Sequence, residues 1–209
     1  MVRVKICGLT RLGDALHAAA CGADALGFIV WPGSKRFISV PDLARLRREL
    51  PPFVQTVAVT VNATPAEIVA LWHQTGVSAV QLHGDETPEA YRSLPMPIIK
   101  AFRAPPLAAE LDAWDAVAFL ADGAAAGHYG GSGVVADTAT VEALAATGRL
   151  VLAGGLTPET VADAVRRVRP YAVDVASGTE VLTEGGTQSG VKDPERVRAF
   201  IEKAKAALP

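Results

Sequence analysis

Only two cysteines, Cys7 and Cys21, occur in 209 residues. That is too few for a disulfide framework in a chain of this length, so both thiols are expected to be reduced. Histidine is nearly as scarce: His17 and His73 fall in helical patterns, His83 at a strand end and His128 in a loop, so no metal-type cluster is predicted. Neither charge sign is in excess. With 20 basic and 22 acidic residues, the formal net charge of -2 gives no bulk electrostatic reason to expect nucleic acid or an anionic membrane surface. Apolar runs long enough to span a bilayer are missing, and the N-terminus enters a polar strand pattern without a basic segment followed by a long apolar run. The expected setting is the cytoplasm and the expected partner a small molecule.

Half of the residues are hydrophobic, enough to bury a substantial core. The first stretch, Val2 to Gly8, alternates: Val2, Val4 and Ile6 point one way, Arg3, Lys5 and Cys7 the other. A helix from Thr10 to Cys21 follows, stopped by Gly22, then a buried strand Ala25 to Val30 and a loop, Trp31 to Phe37, that joins Lys35 and Arg36 to two aromatics. A helix over Pro41 to Leu50 leads to a strand Val57 to Val61 and a strong helix start at Thr64-Pro65-Ala66-Glu67. The strand Ala79 to Leu82 ends in His83-Gly84-Asp85, and Thr87-Pro88-Glu89 opens the next helix. Ile98 to Phe102 is the fifth strand, with a weaker helix over Leu107 to Trp114; alternation places Lys100, like Lys5, facing inward. Val117 to Leu120 ends at Asp122 before a glycine-rich loop, Gly127 to Gly133. A helix over Thr138 to Ala146 precedes the strand Leu150 to Ala153, Gly154-Gly155 and the start signal Thr157-Pro158-Glu159. The strand Ala172 to Val175 ends in Ala176-Ser177-Gly178, and a polar loop, Thr183 to Ser189, leads to a last helix capped by Asp193.

About eight strands alternate with about eight helices at roughly 26 residues per unit, without a break in composition. The prediction is a single-domain (β/α)8 TIM barrel, an α/β fold, over residues 1–209. The runner-up, an open doubly wound sheet, normally shows an early glycine fingerprint, and here the glycines come late.

In such a barrel the chemistry sits at the C-terminal rim, where Cys7, Asp122, Gly154-Gly155 and Ser177-Gly178 all fall. The loops after strands seven and eight often bind phosphate through backbone N–H groups, which makes Gly154, Gly155, Ser177 and Gly178 the predicted phosphate site. Each has a plainer reading. Cysteine is a common small core residue, aspartate at a loop start bonds its own backbone, a tight turn needs glycine anyway, and Arg36 by itself reads as a solvated loop charge. Cys7 and Asp122, on opposite sides of one mouth, suit a base on one side and an acid on the other.

Seven segments in order resemble the phosphoribosylanthranilate isomerase family of tryptophan biosynthesis: Lys5 to Thr10, Gly22 to Phe28, Val80 to Asp85, Gly130 to Gly133, Ala153 to Leu156, Arg169 to Asp174, and Gly190 to Pro194. The resemblance covers nearly the whole chain. It implies an Amadori rearrangement of N-(5-phosphoribosyl)anthranilate, a phosphosugar substrate, with no cofactor and no metal. By the same resemblance Cys7 is the general base, Asp122 the general acid and Arg36 the residue that meets the anthranilate carboxylate. His83 and Asp174 join the substrate-binding set, Lys5 aids the Cys7 thiolate, and the protein is a monomer or homodimer. Departures from the family pattern fall at Trp31, at Thr60, over Val134 to Thr138, and in the longer Thr183 to Ser189 loop. The alternatives are another phosphosugar enzyme on the same barrel, such as a metal-dependent epimerase, and a non-catalytic barrel that binds a phosphorylated metabolite.

Overall fold

The structure, a computed structural model, describes residues 1–123 and 136–208, so the Gly127 to Gly133 loop, with His128, and residues 134–135 lie outside the described residues. Eight parallel strands close on themselves in sequence order: β1 (Arg3–Ile6), β2 (Ala25–Ile29), β3 (Gln55–Thr60), β4 (Ala79–Leu82), β5 (Ile98–Phe102), β6 (Ala118–Ala121), β7 (Leu150–Leu152) and β8 (Ala172–Val175). The ring closes where β1 pairs with β8, Lys5 opposite Asp174. Between the strands run α1 (Leu12–Ala20), α2 (Val40–Arg48), α3 (Pro65–Thr75), α4 (Pro88–Tyr91), α5 (Ala108–Ala113), α6 (Thr138–Ala145) and α7 (Val161–Val168), and α8 (Pro194–Ala206) follows the last barrel strand. This is the predicted barrel.

Strand alternation sorts the core into two layers. Val4, Ile6, Leu26, Phe28, Val80, Leu82, Phe119, Ala121, Val173 and Val175 face outward and pack with the helices as one large apolar layer. The opposite faces of the strands fill the barrel, where Ala101, Ala118, Leu120, Val151, Ala153 and Ala172 form a smaller cluster. Lys100 shares the parity of Ile98 and Phe102, which belong to the outer layer, so it does not face inward as predicted. Its ammonium instead donates to Glu86 Oε2 at 2.7 Å and to the Gly84 carbonyl at 2.8 Å, and lies over the Trp114 ring.

Several helix ends follow the sequence closely. Thr64 and Glu67 form a reciprocal capping box at the start of α3, and Gly76 ends that helix with φ 65°. Two helices differ from expectation. The α4 helix stops after Tyr91, because Pro95 and Pro97 follow too closely for it to extend. The Thr157-Pro158-Glu159 signal makes a turn rather than the first turn of α7: the Thr160 hydroxyl accepts from the Thr157 N–H, and the helix begins at Val161.

The stretch read as a polar loop is partly regular. Strands β9 (Glu180–Thr183) and β10 (Gly186–Lys192) form an antiparallel hairpin after β8, at the C-terminal rim of the barrel. It lacks an apolar face of its own and is tied down by polar contacts: Thr10 Oγ1 donates to the Gly190 carbonyl at 2.7 Å, and the Lys192 N–H donates to Asp14 at 3.0 Å.

Candidate functional site

Beyond the C-terminal ends of the strands opens a cavity lined by Cys7, Ser34, Arg36, Val59, Val61, Gln81, His83, Asp122, Gly154, Gly155, Leu156, Asp174, Ser177 and Gly178, among others. All nine site residues expected from the sequence line it. They arrive from β1, the loop after β2, β4, β6, and the loops after β7 and β8, so only closure of the barrel brings them together.

On the β1 side, Lys5 and Cys7 are successive inward positions of one strand. Lys5 Nζ donates to Asp174 Oδ1 at 2.9 Å, a buried ion pair across the β1–β8 seam. Burial opposes the Lys5 charge, but Asp174 and Cys7 outweigh it and hold the ammonium above the ordinary lysine value. Burial pushes the Cys7 thiol above its ordinary value; Lys5 pulls it back down, while Asp174 adds to the rise. The expected help from Lys5 is therefore present but outweighed, because the cation is already shared with Asp174 and the thiol is largely buried. Gly27 on β2 makes room for both groups: a Cβ there would stand 2.7 Å from the Cys7 sulfur and 3.0 Å from Lys5 Nζ.

Arg36 is buried, not solvated. Its Nε and Nη2 donate to the two carboxylate oxygens of Glu180 at 2.6 and 2.8 Å, a bidentate pair that joins the β2 loop to the hairpin. The aliphatic stem crosses over Gly8, where φ is 70° and an added Cβ would lie 2.5 Å from Arg36 Cδ. Glu180 also accepts from the Gly190 N–H at 2.8 Å and from Thr187 Oγ1 at 3.1 Å, and Lys192 Nζ lies 3.7 Å away. Although burial works against its charge, these donors hold Glu180 below the ordinary glutamate value. Burial brings Lys192 down to about 8 against the pull of Glu180. Sequence reasoning missed Glu180 and Gly27, and saw Gly8 only as a strand end; their signals are a charge inside a polar stretch and glycines whose neighbours are remote in the chain.

On the opposite side, Gln81 and His83 are successive inward positions at the end of β4, and Asp122 stands just past β6. Gln81 Nε2 lies 2.8 Å from His83 Nδ1, and His83 Nε2 lies 3.1 Å from Asp122 Oδ2. The other Asp122 oxygen accepts from the Gly123 N–H at 2.9 Å, so the plain reading of a backbone-bonding aspartate describes one oxygen while the second is engaged by histidine.

Gly154 and Gly155 both adopt positive φ, 83° and 63°, which other residues rarely hold in succession. Gly178 is required for space: a Cβ there would fall 1.9 Å from the Leu156 carbonyl oxygen, so the loops after β7 and β8 are pressed together. Among the described residues, no three histidine, cysteine, aspartate or glutamate side chains are grouped so as to hold a metal ion, and no helix is long and apolar enough to cross a membrane.

The family model for N-(5'phosphoribosyl)anthranilate (PRA) isomerase matches residues 4–203. An N-(5'-phosphoribosyl)anthranilate isomerase of Myxococcus xanthus (strain DK1622) is 46% identical over 212 residues, covering 98% of this chain and 97% of that protein. A crystal structure of phosphoribosyl anthranilate isomerase from Thermus thermophilus superposes with a TM-score of 0.86 at 40% identity, covering 98% of this chain and 99% of that one. A second solved isomerase, in complex with reduced 1-(o-carboxyphenylamino)-1-deoxyribulose 5-phosphate, has a TM-score of 0.78 at 38% identity and the same coverage.

Proposed function

Because the chain belongs to the N-(5'-phosphoribosyl)anthranilate isomerase family, we propose that the rim cavity performs the family reaction with Cys7 as base and Asp122 as acid. The protein is an isomerase of tryptophan biosynthesis, acting on N-(5'-phosphoribosyl)anthranilate. In this reading residues 1–209 form one barrel domain that works in the cytoplasm as a monomer or homodimer. The observation that carries the site assignment is the convergence of all nine residues on one cavity from six separate segments.

The reaction begins at the ribose ring oxygen. Asp122, protonated, delivers its proton there, and the ring opens as the lone pair of the anthranilate nitrogen forms an iminium. The Cys7 thiolate takes the proton from C2, and the electrons of that C–H bond neutralise the iminium to give an enolamine. Tautomerisation of the enolamine yields the 1-deoxyribulose ketone. The substrate supplies its own nitrogen, so Lys5 is not needed as an imine-forming residue and remains with Asp174. The product-type ligand described for the solved relative is a carboxyphenylamino deoxyribulose phosphate; its phosphate would meet the Gly154-Gly155 and Ser177-Gly178 loops. Its carboxylate would meet Arg36, whose Nε–Nη2 edge is held by Glu180 while Nη1 remains for the ligand.

The test is loss of substrate fluorescence when freshly formed N-(5'-phosphoribosyl)anthranilate is added to pure protein. Cys7→Ala and Asp122→Asn are each expected to lower kcat by roughly 100-fold or more while the protein still folds. Near wild-type turnover in either variant would remove that residue from its role.

A further inference from the structure

Gln81 is the most deeply buried polar side chain of the cavity, 1% exposed, and its Oε1 has no hydrogen-bond partner among the described residues. A buried amide with an idle end needs an explanation. It stands at the head of a chain of three groups, Gln81, His83 and Asp122, joined by contacts of 2.8 and 3.1 Å.

A neutral imidazole has one donor nitrogen and one acceptor nitrogen. Two arrangements therefore satisfy the chain. In the first, the Gln81 amide N–H donates to His83 Nδ1, and His83 Nε2–H donates to an ionised Asp122. In the second, His83 Nδ1–H donates to Gln81 Oε1, and a protonated Asp122 donates to His83 Nε2. A half-turn of the amide interconverts the Gln81 ends without moving any other group. Only a side chain that both donates and accepts at one place can serve the two arrangements. A glutamate in that place only accepts, and an aliphatic residue does neither. The other ionisable groups facing the cavity are Cys7, Arg36 and Asp174, with Lys5 on Asp174. Among the described residues none of them bonds to the trio.

We infer that Gln81 is a positioning residue for the acid step: acting through His83, its amide turns with the imidazole tautomer, so that both ring nitrogens keep a hydrogen-bond partner whether Asp122 holds its proton or has given it up. This rests on the reading of Asp122 as the acid.

The test is nitrogen NMR of the full chain labelled with 15N-histidine, the His83 signals being assigned by their loss in His83→Gln. In the wild type the His83 proton is expected to sit on Nε2 when Asp122 is ionised and to move to Nδ1 when lowered pH protonates Asp122. Formation of imidazolium in that step, or one tautomer throughout, overturns the inference without recourse to any variant. Gln81→Met is expected to give mixed tautomers and to lower kcat by ~10-fold with KM within about 2-fold. Gln81→Glu is expected to lock Nδ1–H and to turn His83 into imidazolium once Asp122 ionises. A loss of kcat in Gln81→Met with the wild-type nitrogen pattern would mean a merely structural role, and a changed pattern with unchanged kcat would sever the trio from the reaction; each overturns the inference. Full activity in Asp122→Asn would fail the underlying acid assignment separately, because the wild-type titration does not depend on it.

Discussion

Around Cys7 the buried side chains come in opposite charges: Lys5 on Asp174, and Arg36 with Lys192 on Glu180. Around Asp122 the cavity wall offers a glutamine and a histidine, and no lysine or arginine bonds to the carboxylate among the described residues. Both sides stand at the same height on the same barrel, so the fold does not impose the difference. The chemistry does. A group that has to give up its proton to become a base gains from cations, which favour its ionised form; a group that has to arrive protonated gains from their absence. The cation-rich side still leaves the Cys7 thiol above its ordinary value in the free protein, because burial outweighs Lys5.

The comparison can be broken from its charged side. Lys5→Met removes the strongest influence that lowers Cys7 and leaves Asp174 buried without its partner. In the proposed mechanism the thiolate is the active form of the base, so kcat/KM should rise with pH as Cys7 ionises. In Lys5→Met that limb is expected to move to higher pH, with a loss of ~10-fold in kcat/KM at neutral pH. A limb that stays in place would show that Lys5 does not act on the thiol.

A smaller effect is expected at the second ion pair. Glu180→Gln keeps the shape but loses the bidentate charge pair that fixes the Arg36 guanidinium. KM is expected to rise ~5-fold with kcat within about 2-fold, since the pair orients a binding group rather than the reacting atoms. A fall in kcat at constant KM would contradict this. Smallest is the response of the hairpin to acid. Glu180 sits below the ordinary glutamate value of 4.5, so its stabilising contribution is full above that pH and is lost as pH falls through the folded value. The Gly190 N–H, which donates to Glu180, reports it directly: its protection from hydrogen exchange should hold at neutral pH and weaken first on acidification, ahead of global unfolding.

The barrel and its rim were legible because alternation and strand ends are local signals. Cys7 follows a short alternating strand and Asp122 a short apolar one, and Gly154-Gly155 and Ser177-Gly178 mark the turns after β7 and β8. Lys100 was misplaced because Ile98 and Ile99 are both apolar, so the pattern does not say which parity faces in; Trp114 and Glu86, far along the chain, settle it. The hairpin reads as loop because its residues have no apolar alternation, its hold on the barrel coming from Glu180 bonding Arg36, 144 positions away. Gly8 and Gly27 look like ordinary glycines until Arg36 and Cys7 are seen packed against them. Signals of this kind depend on a neighbour that only the closed barrel supplies.

The proposed division of labour between the two sides is tested most directly with substrate carrying deuterium at ribose C2, the position from which Cys7 takes its proton in that proposal. Cys7→Ser is a poorer base and makes that transfer limiting, so its isotope effect on kcat should rise above that of the wild type. Asp122→Asn makes ring opening limiting, and its isotope effect should nearly vanish. Equal isotope effects in the two variants, or the reverse order, would contradict the assignment of base to the charged side and acid to the other.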